Sequence, residues 1–268
     1  MDVDSGDGPV VNLLWTGGWD STFRLLQLIL DTRATIQPVY VIDTERLSSL
    51  IEMQTMDRIK RGVVERFPRA EGRILPHRFF SIHDIAEDAT ITESYLRLAR
   101  RWHLGSQYDW LPRLAKQHGL GALEMSVVAD SRPRGGIVQC LCDRVISVDD
   151  VQVGRYWTMD ADRDVSDASN VFSRFRFPLL HTTKVQMYEQ MERRGCSDIL
   201  MQTWFCLAPV GGRPCGVCNP CQLVVEEGLR QRLPRAALFR YRCLCLRRLP
   251  RRTAKRILRF LKGNGLPH

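Results

Sequence analysis

The stretch VVNLLWTGGWDST, residues 10–22, decides the fold of this chain. Its first half is a continuous apolar run, which favours a strand buried on both faces of a parallel sheet. The run breaks at Gly17 and Gly18, and the apolar residues that follow Thr22 recur at helical spacing. The stretch therefore predicts a strand, a tight turn and a helix that packs on the sheet.

The turn between this strand and this helix has the chemistry of a phosphate-binding loop. Glycines let the backbone approach a ligand closely, and the start of a helix presents partial positive charge to an anion. The hydroxyls of Thr16, Ser21 and Thr22 can donate to phosphate oxygens. Asp20 offers the hard oxygen ligand that Mg²⁺ prefers. An ordinary turn between a strand and a helix would also explain the glycines.

Strand and helix patterns alternate through the next hundred residues, as in an α/β protein with a parallel sheet. Apolar runs predict strands at 36–43, 74–80 and 120–128, and helical spacing recurs at 47–67 and within 82–117. The second and fourth strands end in the carboxylates Asp43 and Asp130, at the edge where open α/β sheets bind ligands. Asp43 is therefore predicted to face a nucleotide, and Asp130 either does the same or caps the next turn. Residues 131–170 fit no regular pattern.

A further helix is predicted to begin after Thr183. Thr183 with Gln186 three residues later forms a capping box ahead of helically spaced apolar residues. Lys184 would be the first helical residue, where a cation opposes the helix dipole. This position favours a lysine that pairs with an anion over one placed for helix stability, although a plain solvent-exposed lysine is the alternative.

Four cysteines near the C-terminus have the spacing of a metal site. They follow the pattern C-x8-C-x2-C-x2-C, at Cys206, Cys215, Cys218 and Cys221. Four thiolates close a tetrahedral Zn²⁺ with no open position, so the predicted site is structural. Four cysteines can also hold an iron–sulfur cluster, and zinc is favoured here.

The basic residues are concentrated at the C-terminal end. The chain has 268 residues and a net charge of +9, and residues 230–268 contain 13 of its 39 Lys and Arg and none of its 30 Asp and Glu. Such a tail indicates an acidic partner, a nucleic acid or an anionic surface, or else a solvated helix with a flexible end. No apolar run is long enough to span a membrane, and the acidic start is unlike a secretory signal. A cytoplasmic protein is therefore expected.

The motifs resemble those of known enzymes. Thr16-Gly17-Gly18-Trp19-Asp20-Ser21 is similar to Ser-Gly-Gly-x-Asp-Ser, the PP-loop of enzymes that cleave ATP between its α- and β-phosphates. A PP-loop followed by a cysteine cluster resembles, more narrowly, the 7-cyano-7-deazaguanine synthases, the QueC family. The further matches stand in the same order: Pro178-Leu179, Thr183-Lys184, Thr203-Trp204-Phe205-Cys206 and Cys215-Gly216-Val217-Cys218-Asn219-Pro220-Cys221. Together they cover residues 10 to about 228.

The resemblance implies a fold class, a division into domains and a set of ligands. It implies a Rossmann-like PP-loop domain with a parallel sheet, of the adenine nucleotide alpha hydrolase type, followed by a zinc-binding helical subdomain. The corresponding ranges are 1–200 for the ATP-binding α/β domain, 201–232 for the zinc-binding segment and 233–268 for the basic helical tail. ATP, Mg²⁺ and Zn²⁺ are the implied ligands, and the family resemblance suggests a homodimer.

By the same resemblance, the protein is a carbon–nitrogen ligase that acts on a carboxylate of a 7-deazaguanine. ATP adenylates the carboxylate, ammonia displaces AMP to give an amide, and a second ATP dehydrates the amide to the nitrile. Asp20, which holds the metal, and Lys184, which contacts the phosphates or the developing charge, are the candidate catalytic residues. The implied nucleotide site comprises Thr16, Gly17, Gly18, Trp19, Asp20, Ser21, Thr22, Asp43 and Asp130.

The departures from the family pattern fall in the part that would bind the acceptor. Where QueC enzymes have Gly-Arg-Asn, this chain has Gly105-Ser106-Gln107, and their Tyr-Pro-Asp-Cys-Arg segment has no counterpart around 131–145. An arginine of many members is replaced by Val224. The chain therefore resembles a divergent relative of the kind found in bacterial antiphage operons. Such a relative can join a deazapurine to a macromolecule, a nucleic acid or protein reached through the basic tail.

Two other functions remain open. A PP-loop enzyme that modifies tRNA would suit the basic tail, and a thiolating enzyme would need a reactive cysteine pair, for which Cys140 and Cys142 are the candidates. Alternatively, the loop no longer turns over ATP and the chain is a nucleic-acid-binding zinc module. The basic amphipathic stretch 252–262 would then carry the function.

Overall fold

The computed structural model describes residues 8–129, 136–160 and 166–248. In these ranges the strands are β1 Val10–Leu14, β2 Thr35–Ile42, β3 Arg78–Ser81, β4 Leu123–Glu124, β5 Val145–Asp150, β6 Gly154–Met159 and β7 Phe175–Arg176. The helices are α1 Trp19–Asp31, α2 Ser49–Arg66, α3 Ala89–Arg101, α4 Gln107–Gln117, α5 Ile137–Leu141, α6 Asp167–Phe172, α7 Lys184–Arg193, α8 Ser197–Met201, α9 Asn219–Glu226 and α10 Arg235–Arg248. None of the helices in these ranges is both long and apolar enough to cross a lipid bilayer.

The chain divides into two compact units. The first unit comprises Met1–Glu45 and Ser49–Trp204, and the second comprises Arg46–Ser48 and Phe205–His268. The predicted PP-loop lies in the first unit, and all four predicted metal ligands lie in the second. The two sites can therefore be described separately.

A five-stranded sheet forms the centre of the first unit, in the order β3-β2-β1-β4-β7. Each neighbouring pair in it is parallel. Strands β2 and β3 follow β1 on one side of it, and β4 pairs with β1 on the other side. Open sheets bind ligands where the strand order reverses in this way, outside the carboxyl ends of the strands. The prediction of an α/β protein with a parallel, Rossmann-like sheet is confirmed.

Apolar burial explains why the first 40 residues fold as predicted. Leu13, on the central strand, and Ile36, on its neighbour, are fully buried, as a strand covered on both faces requires. On α1, Phe23, Leu25 and Leu26 are also fully buried, which packs the helix against the sheet. Removing this much apolar surface from water is the main force that holds the unit together.

A buried ion pair joins three parts of the first unit. The guanidinium of Arg24 on α1 donates two hydrogen bonds of 2.7 Å to the carboxylate of Glu124 on β4. A third bond runs from the same guanidinium to the carbonyl oxygen of Val153, in the turn between β5 and β6. The Glu124 side chain is completely buried and that of Arg24 is 5% exposed. Neither residue is marked by a pattern in the sequence.

Two of the predicted strands differ from those in the structure. The fourth was predicted at 120–128, but only Leu123–Glu124 pair with neighbours. The strand starts late because Ala122 has a φ of 55°, a conformation that does not continue a strand. Met125 N–H still donates to the carbonyl oxygen of Arg176 on β7, and the strand ends there, because Val127 N–H bonds locally to Met125 O. The third predicted strand, 74–80, is β3 at Arg78–Ser81, preceded by a single parallel bridge at Ile74.

A β-hairpin occupies part of the region for which no pattern was found. Strands β5 and β6 pair antiparallel, and Trp157 bonds to Phe177, which follows β7. The turn is stabilised by Asp150, whose carboxylate accepts the N–H groups of Gln152 and Val153. Such an aspartate turn involves only a few residues, so the sequence indicates it less clearly than it indicates the long apolar runs of the sheet.

Candidate functional site

The loop after β1 has the backbone of a close-approach turn. Gly17 has a φ of 67°, which residues with a side chain rarely adopt. A Cβ atom at Gly17 would lie 3.1 Å from the Met56 side chain and 3.3 Å from the Glu52 carbonyl oxygen on α2. The Gly17 carbonyl oxygen itself accepts the N–H of Trp204. The loop is therefore confined between α2 and the end of the first unit, and glycine is required there.

The first helix begins without a side-chain cap. Gly18 is its N-cap residue and has no side chain to bond the N–H groups of the first turn. The first helical bond in this turn is from Thr22 N–H to the Gly18 carbonyl oxygen. Asp20 lies in the same turn and is half-buried. An uncapped helix start next to a glycine turn is the arrangement that binds phosphate in many nucleotide-binding proteins.

The predicted hydroxyl groups differ in how far the protein already engages them. Ser21 is 6% exposed, and its hydroxyl donates to the Gly18 carbonyl oxygen and accepts a long bond of 3.5 Å from Thr16 N–H. Thr22 is fully buried, and its hydroxyl oxygen accepts the indole N–H of Trp15 at 3.0 Å. Thr16 remains half-buried at the tip of the loop. Thr22 thus has a structural contact that the sequence did not indicate.

Two further strand ends lie at the same edge of the sheet as the loop. Asp43 follows β2 directly, where its carboxylate accepts Glu45 N–H at 3.0 Å and its carbonyl oxygen accepts the Ser49 hydroxyl. On the other side, Ala129 follows β4 and its N–H donates to the carbonyl oxygen of Thr182. Because β2, β1, β4 and β7 are parallel neighbours, their carboxyl ends share one edge. Asp130 lies outside the described residues.

Ser126 is a candidate ligand-binding residue that the sequence analysis missed. It follows β4 by two residues, next to the point at which the strand order reverses. Its hydroxyl oxygen is buried and has no hydrogen-bond partner among the described residues. A buried hydroxyl is normally satisfied, so this atom is available to a ligand or a water. A lone serine inside the apolar run LGALEMSVV was the only signal in the sequence.

Lys184 occupies the position that the sequence predicted. Thr183 is the N-cap of α7, and the capping box with Gln186 is complete. Lys184 is therefore the first residue of α7 and is half-buried. One turn later, Tyr188 stacks on Trp19, the first residue of α1, with ring centroids 6.4 Å apart. This stack brings the beginning of α7 alongside the beginning of α1.

A groove of about 640 Å³ lies along α2 and β3 rather than over the loop. Its lining combines Met53, Met56, Val64 and Phe79 with charged side chains and His77. It borders the loop at two points: the Met56 side chain lies against Gly17, and His77 stacks on Trp15 at 5.2 Å. None of the residues predicted to bind the nucleotide lines the groove, so it is described separately from the predicted site.

The second unit brings the four predicted cysteines together. Their sulfur atoms all lie within 4.8 Å of one another. The Cys206–Cys218 sulfur distance is 3.8 Å and the Cys215–Cys221 distance is 3.9 Å. A tetrahedral ion with metal–sulfur bonds of about 2.3 Å needs sulfur–sulfur distances of about 3.8 Å. The cluster can hold a metal ion such as zinc.

Backbone N–H groups around the cluster point at the sulfur atoms. Cys215 N–H donates to the sulfur of Cys206 at 3.2 Å. The sulfur of Cys215 accepts the N–H groups of Val217 and Cys218 at 3.4 and 3.3 Å. Such bonds stabilise negative charge on sulfur, and groups around the ligands fix their orientation.

The four thiols cannot all lose their protons without a cation. Burial raises the pKa of Cys206 to about 11. A hydrogen bond from the Cys221 thiol lowers the pKa of Cys218 to about 4, and the same bond raises the pKa of Cys221. The ligands of a metal ion must be thiolates, so binding of a cation here would release protons.

Helix α10 packs directly on the cysteine loop. Gly216 has a φ of 82°, and a Cβ atom there would lie 2.1 Å from the carbonyl oxygen of Ala237 on α10. The guanidinium of Arg240 donates to the carbonyl oxygens of Cys215 and Pro214 at 2.7 and 3.3 Å. The cluster and α10 therefore pack together within the second unit.

Comparisons with known proteins add no relative: no model of a protein family matches the chain, and no curated protein matches it either. The candidate site therefore depends on its own geometry. That geometry consists of a phosphate-type loop in the first unit and a four-cysteine centre in the second.

Proposed function

We propose that this protein is an ATP-dependent ligase of the QueC type. In this proposal it adenylates a carboxylate on a 7-deazaguanine and releases pyrophosphate. The product is then an amide, a nitrile, or a conjugate of the deazapurine with a macromolecule. Zn²⁺ is the proposed metal of the cysteine centre, and Mg²⁺ accompanies ATP.

The observation that carries the proposal is the loop at the carboxyl edge of β1. It combines a glycine with positive φ at Gly17, an uncapped helix start at Gly18 and a carboxylate at Asp20. It also lies where the strand order reverses, next to the unsatisfied hydroxyl of Ser126. A pyrophosphate needs N–H donors and a cation ligand together, and this loop offers both.

The chemistry suits these residues. A carboxylate is a poor electrophile, and attack of its oxygen on the α-phosphorus of ATP expels pyrophosphate and leaves an acyl adenylate. Ammonia then attacks the acyl carbon, AMP leaves and one proton is released, which gives the amide. The loop N–H groups and Asp20 with Mg²⁺ would stabilise the departing pyrophosphate. Lys184, at the start of α7, would neutralise charge that develops on the phosphates.

The cysteine centre has a structural part in this proposal. Its four ligands leave no open coordination position for a substrate. The remaining cysteine pair does not favour the thiolation alternative, because Cys140 is fully buried while Cys142 is exposed. A thiolating enzyme needs both thiols accessible to its substrate.

The direct test measures AMP and pyrophosphate. The full chain is incubated with ATP, Mg²⁺, ammonium and 7-carboxy-7-deazaguanine, and the purine products are identified by mass. We expect AMP together with amide or nitrile, and we expect Asp20→Ala to lower the rate by at least about a hundredfold, as for loss of a main electrostatic contact. Asp31→Ala, at the other end of α1, is the matched control and should keep the activity.

Two other outcomes separate the versions of the proposal. AMP that forms only after cell extract is added would indicate a macromolecular acceptor. No AMP under either condition, from protein that is folded and contains its metal, would refute the ligase and favour the inactive zinc module.

A further inference from the structure

The outward face of α10 carries an alternation of arginine and large apolar side chains. Arg235, Phe239, Arg242 and Leu246 are spaced by four, three and four residues, which places them in one narrow stripe along the helix. Arg235 and Arg242 are exposed, Phe239 is 68% exposed and Leu246 is 47% exposed. A phenylalanine this exposed, between two arginines on the same face, needs a reason.

The orientation of this stripe is fixed by the opposite face of the helix. There, Ala237 is fully buried against the backbone of Gly216, and Arg240 bonds to the carbonyl oxygens of the cysteine loop. The helix therefore cannot rotate to bury Phe239 without breaking its contact with the metal centre. The stripe is held as a rigid ridge.

The charged residues of α10 are all of one sign. Helix α10 contains five arginines and no acidic residue, and the acidic residues in 205–248 are Glu226 and Glu227 alone. Arginines on the same helix repel each other when they are near neighbours. The surface therefore favours a partner with many negative charges. Guanidinium groups match phosphate oxygens with two bonds each, which makes a phosphodiester backbone the best complement.

The exposed ring distinguishes between polyanionic partners. A helix that binds an anionic membrane gathers its apolar residues on one face and its cations on the other. Here Phe239 stands between Arg235 and Arg242, which does not suit a lipid surface. An aromatic ring between phosphate-binding cations instead suits an unstacked base, and unstacked bases occur in single strands.

We propose that this ridge binds single-stranded nucleic acid through Arg235, Phe239 and Arg242. The two guanidinium groups contact backbone phosphates, and a base stacks on the Phe239 ring. This inference does not depend on the ATP chemistry, and Asp20→Ala should bind nucleic acid as the wild type does. The cysteine centre has the role of holding the ridge in place.

The test is fluorescence anisotropy of the full, metal-containing chain with a labelled uridine 20-mer. We expect Phe239→Ala to weaken binding by at least about fivefold, the lower end of what stacking of one base contributes. Arg235→Ala with Arg242→Ala should lower the salt slope by about 1.4, since each single-strand phosphate contact contributes about 0.7. The matched control is Leu96→Ala with Arg100→Ala, an exposed apolar and arginine pair on α3 of the first unit, which should change neither quantity.

Further probes decide the partner. A thymidine 20-mer that binds as well as the uridine one supports base stacking and phosphate contact, and a preference for RNA supports the same ridge with added contacts to the 2′-hydroxyl. Equal binding of duplex or of anionic vesicles overturns the proposal, as does the absence of binding at low salt. It is also overturned if deletion of 249–268 abolishes binding while Phe239→Ala, with normal metal content, leaves it unchanged.

Discussion

The two candidate sites use glycine with positive φ in the same way but hold it by different means. A Cβ atom at Gly17 in the first unit would lie 3.1 Å from a methionine side chain, which can move, and 3.3 Å from the Glu52 carbonyl oxygen. Gly216 in the second unit would bring one to 2.1 Å from a helix carbonyl oxygen, which cannot. The first loop is closely packed at the edge of a large apolar core, and the second is in tighter contact, between a helix and four sulfur atoms.

The buried residues of the two units explain this difference. Around the first loop, Trp15 and Phe23 are completely buried, as are many other large apolar residues of the first unit. In the described part of the second unit, the buried apolar residues are three of the cysteines with Val224, Leu233 and Ala237. A core that small does not stabilise a fold by itself, so we expect a metal ion held by the four cysteines to supply much of the free energy. The comparison therefore predicts that metal removal affects one unit and spares the other.

The largest effect is expected from loss of the metal. Cys221→Ser, or removal of the metal by a chelator, should unfold α9 and α10, because structural zinc sites contribute about 10 kcal/mol or more. Hydrogen exchange measured segment by segment should show lost protection in these helices and unchanged protection in β1 and β2. Cys142→Ser, at an exposed cysteine outside the cluster, is the control. Persisting protection of α10 in metal-free Cys221→Ser would contradict the comparison.

A smaller effect, confined to the first unit, is expected from the buried ion pair. Glu124→Gln leaves the Arg24 guanidinium buried without its carboxylate, which should cost about 3–5 kcal/mol of unfolding free energy. Denaturant unfolding followed by hydrogen exchange of β1 and β4 measures it, and the metal content should stay constant. Asp57→Asn removes an exposed ion pair with Arg61 and should cost about 0.5 kcal/mol or less.

A double variant in which both Arg24 and Glu124 are replaced by Met tests whether the unpaired buried charge is the cause. It leaves no charge buried, so it should be more stable than Glu124→Gln. If instead the double variant is the less stable of the two, the hydrogen bond from Arg24 to Val153 O is the dominant contribution.

The parts of the molecule that the sequence predicted are those with long or strict patterns. The apolar run of β1, the glycine pair, the capping box at Thr183 and the cysteine spacing each act over a few neighbouring residues. Each pattern is set by residues close together in the chain, so each was predicted within one or two residues of its position. These four features could be predicted because each depends on a short segment of sequence.

The features that were missed depend on residues distant in the chain. Arg24 and Glu124 are 100 positions apart, and neither departs from an ordinary helix or strand composition. The short β4 depends on pairing with β7, and the significance of Ser126 depends on the strand order. The docking of α10 on the cysteine loop likewise requires the fold, because Ala237 and Gly216 are unremarkable residues in the sequence alone.

The smallest predicted effect concerns pH and again separates the two units. His77 lies between Trp15 and Phe79, with ring centroids 5.2 and 5.4 Å away, and its Nε2 atom is buried without a partner among the described residues. Burial, and then the charge of Lys60, lower the pKa of His77 to about 4. The unfolded chain therefore takes up a proton near pH 6.5, whereas the folded chain does so only near pH 4. The stability that this residue contributes is complete above pH 6.5 and is lost as the pH falls to about 4.

The size of this effect is limited because the ring is only partly buried. A shift from 6.5 to about 4 corresponds to at most about 3 kcal/mol, and solvent screening reduces this to about 1–2 kcal/mol. His77→Phe keeps a ring in the stack and removes the titration. Between pH 7 and pH 4, the unfolding free energy of the wild type should therefore fall by about 1–2 kcal/mol more than that of His77→Phe. Acid also protonates the cysteine ligands, so the measurement must follow amides of β1 and β2 in the first unit. Equal losses in the two proteins there would show that His77 is already charged in the fold, and the stack with Trp15 would then have to tolerate a cation next to the loop.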